Sequence, residues 1–282
     1  MLNPNPCTYY ANQTTARGAG FSALAYREHY IAAGTESTKE GLGDVNVLIY
    51  DTRSPGAPLR QYSESHTDSI TQLSFHPTQP QCLLSGSTDG LVSLFDVNQA
   101  DEDDALQQVL NPRSAVHCAG FLAPEQVYVL STDENFSVYD ISESQVETEN
   151  VEARTVADFG DVREKLDCMY VVDLLQKPGF TAPVLAYGHN EKQTLSLMPL
   201  EAPNWEFGTP IQLPGAHGEE VCRDVYIDAA AQRALTCGED GQVRAWSLDT
   251  SGGADGATGA ERPPKSRSEA RKMKKAERYA PY

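Results

Sequence analysis

No run of apolar residues in this 282-residue chain approaches the ~18 that a membrane-spanning helix needs, and the first thirty residues lack a charged-then-apolar leader pattern. Both absences predict a soluble intracellular protein, in the nucleus, the cytoplasm or both. The six cysteines, at 7, 82, 118, 168, 222 and 237, show no C-x-x-C spacing. Dithiol redox chemistry and zinc ribbons lose their support, and several of these cysteines fall in apolar runs as small hydrophobes. No glycine-rich phosphate cradle is present, neither G-x-G-x-x-G nor a P-loop string. Gly86-Ser87-Thr88-Asp89-Gly90 does not fit the G-x-S-x-G of a nucleophile elbow and reads as a strand end and turn. The six histidines are scattered. His29 is read at the start of a strand, His76 at a strand end before Pro77, and His117 and His189 have no partners at zinc-finger spacing. The expectation is a non-enzyme with no metal, no cofactor and no small-molecule substrate.

Positive charge is also in short supply. Lys and Arg total 22 against 40 Asp and Glu, a net of −18. The imbalance is uneven. Residues 261–282 hold eight basic and three acidic residues, a net of +5, leaving 14 basic against 37 acidic elsewhere, a net of −23. An acidic body repels nucleic acid and favours basic protein partners. The acidic run Asp101–Asp104 reads as a solvated loop. Residues 250–260 are Gly/Ala-rich, the composition of a flexible linker. Beyond it, Arg271, Lys272, Lys274 and Lys275 form a short cluster of the nuclear-import type.

What the chain does have is a repeat. His66, Ser85, Asp89, Gly90, Val92 and Phe95 recur as His217, Thr236, Asp240, Gly241, Val243 and Trp246, with 23 positions from His to Asp and six from Asp to the aromatic in both copies. Asp44 stands six before Tyr50, and Asp133 six before Tyr139. A degenerate copy falls near 162–213, with Lys192 at the Asp position and Met198 at the aromatic one, so five copies are expected. A unit of ~40–45 residues with several short β-runs cannot bury its apolar face alone, and the copies must stack as blades of a propeller. The clearest copy predicts strands over Ile70–Phe75, Cys82–Ser87, Leu91–Val97 and Ala105–Leu110. Asp89-Gly90 closes the second onto the third, because Gly accepts the positive φ of a tight turn.

The repeated polar residues predict a buried relay. An indole N–H in the third strand needs an acceptor, which a Ser/Thr hydroxyl, an imidazole and the turn carboxylate can supply in series. Trp246, Thr236, His217 and Asp240 can complete it. Phe95 has no N–H, so the relay at His66, Ser85 and Asp89 is expected to stop short. Asp68, Thr88, Thr132, Glu219 and Glu239 are expected on one rim, where the turn before each third strand meets the turn before each first strand.

The strings Ser63-Glu64-Ser65-His66-Thr67-Asp68, Phe75-His76-Pro77, Ser85-Gly86-Ser87-Thr88-Asp89-Gly90 and Thr236-Cys237-Gly238-Glu239-Asp240 resemble the WD40 repeat family, and within it the WD repeat-containing protein 89 group. The resemblance begins near Gly20 and starts inside that group's third blade. It implies a seven-bladed propeller without enzymatic activity, here represented by its C-terminal five blades. The all-β architecture expected is therefore five four-stranded blades of an incomplete seven-bladed WD40 propeller in an open arc. An irregular segment would precede it at 1–19, the blades would span 20–249, and a linker with a basic tail would follow at 250–282. Cys7–Tyr10 is the one run before Gly20 that fits an outer strand for the last blade. The function expected is a protein-interaction scaffold, probed by basic partners. Its alternatives are an adaptor or chaperone-like subunit in ribosome assembly or a chromatin complex, and, in another class, an enzyme using the central channel.

Overall fold

The computed structural model describes residues 20–248, apart from 39–42, 55, 143–153 and 177–181. Five antiparallel sheets follow one another along the chain. Blade 1 is β1 (Phe21–Arg27), β2 (Tyr30–Thr35), β3 (Val47–Asp51) and β4 (Arg60–Tyr62). Blade 2 is β5 (Ile70–Phe75), β6 (Cys82–Ser87), β7 (Val92–Asp96) and β8 (Leu106–Leu110), with the short helix α1 (Glu102–Ala105) leading into β8. Blade 3 is β9 (Val116–Ala123), β10 (Gln126–Ser131), β11 (Asn135–Asp140) and β12 (Arg154–Asp161). The helix α2 (Val162–Leu166) precedes blade 4, which is β13 (Tyr170–Leu175), β14 (Val184–His189), β15 (Thr194–Glu201), β16 (Glu206–Phe207) and β17 (Ile211–Pro214). Blade 5 is β18 (Cys222–Asp228), β19 (Arg233–Gly238) and β20 (Val243–Ser247).

Burial explains the strand composition. A middle strand of an inner blade is covered on both faces, so β6 and β10 are almost wholly buried and lose the alternation of a half-exposed strand. In β6, Leu83 packs toward blade 1 and Leu84 toward blade 3. The strands of blade 5 keep the alternation, with Tyr226, Leu235 and Val243 exposed. Among the described residues there are four hydrophobic clusters, joining blades 1 and 2, 2 and 3, 3 and 4, and 4 and 5. None of these clusters joins blade 5 to blade 1.

Every blade pairs its first strand with its second through the same irregularity. One residue near the start of the first strand is skipped by the ladder: Ser22, Thr71, His117, Val172 and Arg223. Two skipped side chains reach the next blade's main chain. Thr71 Oγ1 donates to the Val116 carbonyl at 3.0 Å and His117 Nε2 to the Val172 carbonyl at 3.1 Å.

Several expectations shift in detail. The third and fourth strands of blade 2 are shorter than read, because Ala105 closes α1 instead of opening β8. His29 lies in the turn before β2, not at a strand start. The degenerate copy begins at Tyr170, since Val162–Leu166 form α2, N-capped by the Asp161 carboxylate. Cys7–Tyr10 and the 250–282 tail lie outside the described residues.

Candidate functional site

The local sequence builds the framework first. In blade 5, Asp240 caps the turn into β20, and Gly241 takes the left-handed conformation at φ 70°. His217 Nδ1–H donates to Asp240 Oδ1 at 2.8 Å, because a carboxylate can only accept. His217 Nε2 then accepts from Thr236 Oγ1 at 2.8 Å, and that oxygen accepts from Trp246 Nε1 at 3.0 Å. Arg244 Nη2 closes the far side of Asp240 at 2.9 Å. In blade 2, His66 Nδ1 donates to Asp89 Oδ2 at 3.0 Å and Nε2 accepts from Ser85 Oγ at 2.7 Å. Asp89 also accepts from the backbone of Thr67 and Leu91, both at 2.9 Å. Phe95 ends the relay there, stacked on Tyr62 with ring centres 5.0 Å apart. Ser93, opposite Ser85 in the ladder, has a buried hydroxyl without a partner among the described residues.

The other three copies solve the same problem differently. In blade 1, Asp44 braces its own hairpin, accepting from Ser37 Oγ at 3.1 Å and from the Thr38 amide at 3.2 Å. In blade 3, the glycine of the turn becomes Glu134 at φ 60°. Its carboxylate accepts the Val171 amide of blade 4 at 3.1 Å. Burial pushes the Glu134 carboxyl up to about 7, against the opposing pull of that amide. In blade 4, Lys192 at the Asp position pairs with Asp167. Gly188 stands four positions before Lys192, as Ser85 and Thr236 stand before Asp89 and Asp240, and the Tyr170 ring lies against it. The Tyr170 hydroxyl accepts the Cys222 amide of blade 5 at 2.9 Å.

Because the folded pKa of Glu134 is raised from an ordinary 4.5 to about 7, the folded chain holds a proton that the unfolded chain releases across that window. Its effect is to lower stability as pH rises from 4.5 to 7. Glu134→Gln should therefore stabilise the protein at pH 8 by about 1 kcal/mol, discounted for its partial exposure, and gain nothing at pH 4. Urea titrations at the two pH values would refute this by showing an equal difference at both.

The rim assembles as a repeating contact. Thr88 N–H donates to Ser69 O at 3.0 Å, Thr132 N–H to Ala115 O at 2.9 Å, and Glu239 N–H to Val221 O at 2.9 Å. Each joins the turn before a third strand to the turn before a first strand. Asp68 and Glu219 lie in the latter turns, and Glu219 is exposed. Glu239 is not a free carboxylate, since Arg223 pairs with it. Arg163 is likewise paired with Asp161 at 2.6 Å, and Lys192 with Asp167.

A channel enzyme would need a titratable pair open to a cavity. The nearest approach is Asp173, whose carboxyl is raised by burial. It is engaged by Tyr128 Oη at 3.2 Å, and the neighbouring His117 ring is spent on a backbone carbonyl. Burial raises the thiols of Cys82 to about 11 and of Cys168 and Cys222 to about 12, far from nucleophilic poise at neutral pH. His76 donates to Pro124 O at 2.7 Å. Among the described residues no group of His, Cys, Asp and Glu is placed to hold a metal ion, and no helix is long and apolar enough to cross a membrane.

Sequential antiparallel blades joined by hydrophobic clusters, two of the blades holding a buried polar relay, define a β-propeller. Residues 56–96 match the family described as WD domain, G-beta repeat. An uncharacterized WD repeat-containing protein of Saccharomyces cerevisiae is 39% identical over 80% of this chain and 56% of its own length. The WD repeat-containing protein 89 homolog of Dictyostelium discoideum is 27% identical over 75% of this chain and 57% of its own. This chain thus spans little more than half the length of these two relatives. Among solved structures, the β-propeller domain of Cps50 (Swd1) from Myceliophteria thermophila is similar with a TM-score of 0.58, at 16% identity, covering 80% of this chain and 64% of that one. The chain belongs to the WD40 repeat family.

Proposed function

We propose that this protein is a non-enzymatic interaction scaffold whose acidic rim receives a basic segment of another protein. WD40 propellers generally bind other proteins, which supports the class. The basic partner is argued from one observation: three rim cations are consumed internally, with Arg113 exposed and without an ion pair to a described residue. Arg163, Lys192 and Arg223 each neutralise a neighbouring carboxylate, while Asp133, Glu219 and Glu220 stay exposed with no ion pair to a described residue. The field left over is negative, and it matches the −23 net charge outside the basic tail. A Lys/Arg-rich peptide should bind at low ionic strength and dissociate as salt shortens the Debye length to about 8 Å. Fluorescence titrations at two salt concentrations test this, and binding that ignores salt would remove the electrostatic reading.

The proposal places the protein in the nucleus through Arg271, Lys272, Lys274 and Lys275. Subunits of ribosome-assembly and chromatin complexes face basic tails there, which makes an adaptor role in such a complex the form of scaffold we favour. Deleting residues 261–282 from a tagged protein should shift it to the cytoplasm, and an unchanged distribution would reject the import role.

A further inference from the structure

The connection from β7 to β8 in blade 2 collects a run of donors from the end of blade 1. Arg60 donates from Nε to the Gln99 carbonyl at 3.0 Å and from Nη2 to the Asn98 carbonyl at 3.2 Å. Tyr62 Oη donates to Gln99 O at 2.9 Å. The next three amides all converge on the Glu102 carboxylate: Ser63 at 2.6 Å, Glu64 at 2.9 and 3.1 Å, and Ser65 at 2.8 Å. The Ser65 hydroxyl adds a fourth donor at 2.5 Å. Successive N–H groups turned toward one anion form a nest, and hydrogen bonds to an ionised acceptor are about twice as strong as neutral ones. This overturns the reading of Asp101–Asp104 as merely solvated. Asp101 caps α1 and Asp103 and Asp104 are exposed, whereas Glu102 is half-buried in the nest.

The chain then passes directly from one carboxylate to another. His66 and the Thr67 amide are held by Asp89. Asp68 follows, with its carbonyl accepting from Ser87 Oγ at 2.9 Å and its own Oδ1 accepting the Ser69 amide at 2.7 Å. The corresponding approach to blade 5 has no such grip: the Gly215 amide donates to a backbone carbonyl, Gln193 O, at 2.7 Å.

We propose that Glu102 is a positioning residue for the interaction rim, a latch that fixes the Ser63–Ser69 segment so that Thr67 and Asp68 are presented in one conformation to a basic partner. The inference rests on the reading of the rim as a binding surface. Its distinguishing feature is that Glu102 acts through geometry, while its neighbour Asp103 carries the same charge without touching the segment.

The test compares the full-length chain with Glu102→Gln and Asp103→Asn. Hydrogen exchange is followed by mass spectrometry, and a labelled alternating Lys-Arg decapeptide is titrated at low salt. Glu102→Gln should speed exchange of the 63–65 amides by about tenfold or more, leave blades 3 to 5 unchanged, and weaken the peptide several-fold. Asp103→Asn should do neither. Unchanged or uniformly faster exchange in Glu102→Gln overturns the latch, as does an equal loss of peptide affinity in both variants. Failure of the wild-type chain to bind the peptide would remove the rim reading instead, and the exchange comparison would still decide whether the latch exists.

Discussion

Replacing Phe95 with alanine should lower the unfolding free energy by about 3–5 kcal/mol, the range for truncating a fully buried aromatic. Phe95 is wholly enclosed between blades 1 and 2, among Ile49, Tyr62, Leu73 and Leu83. Its ring lies 9° from parallel with Tyr62, so the change removes a stacked pair as well as apolar volume. The surrounding side chains come from two different sheets, which limits how far they can collapse into the space. Phe159, only partly buried against the blade 3–4 cluster, should lose clearly less when truncated in the same way. Urea denaturation of both variants measures the contrast, and a loss below about 1.5 kcal/mol for Phe95→Ala would mean that the blade 1–2 interface repacks freely.

The second large effect is expected at Asp89. Its side chain is 5% exposed and gathers three donors, the His66 imidazole and the amides of Thr67 and Leu91. Asp89→Ala strands them, the imidazole in a buried site, a loss of about 2–3 kcal/mol. The pH dependence follows from its carboxyl, which burial would raise but which the His66 and backbone donors hold below the usual value of 3.8. A depressed carboxylate contributes fully above its unfolded pKa and fades as pH falls through the folded one. The gap between wild type and Asp89→Ala should thus be constant near neutrality and narrow below pH 3.8. Thermal melts from pH 3 to 7 would contradict this if the gap widened toward acid. At Asp240 the same relay sits in a more open turn with Arg244 beside it, so the equivalent change should cost less.

The sequence exposes those features whose chemistry repeats. His66 with Asp89 and His217 with Asp240 are legible because a relay needs the same residue types at the same spacing wherever it is built. The Asp-Gly turns are legible because few residues tolerate their backbone. What repetition cannot announce is a substitution of mechanism. Blade 4 holds its neighbour through Tyr170 and Gly188, which stand 18 positions apart in the chain and are paired opposite each other in the sheet. A side chain at 188 would run into the tyrosine ring, so the pair works only together. The Glu102 nest escapes a sequence reading for a related reason: backbone amides have no residue signature, and an acidic loop looks the same whether one carboxylate is captured or none. The apolar alternation of β6 and β10 fails too, because sheets on both sides bury what a lone sheet would leave wet.

At Thr71 and His117 the skipped position near the start of a first strand lets one sheet read the next sheet's main chain. Thr71 and His117 are chemically unlike, yet each reaches a carbonyl in the following sheet. Every amino acid supplies that oxygen, so the acceptor survives mutation, and only a donor of sufficient reach must be kept at the skipped site. Rotational registry about the axis is thereby insulated from drift in side-chain identity. A copy as diverged as the fourth, whose own skipped residue Val172 donates nothing from its side chain, can forfeit its signature and still keep its place beside the third as the acceptor of His117.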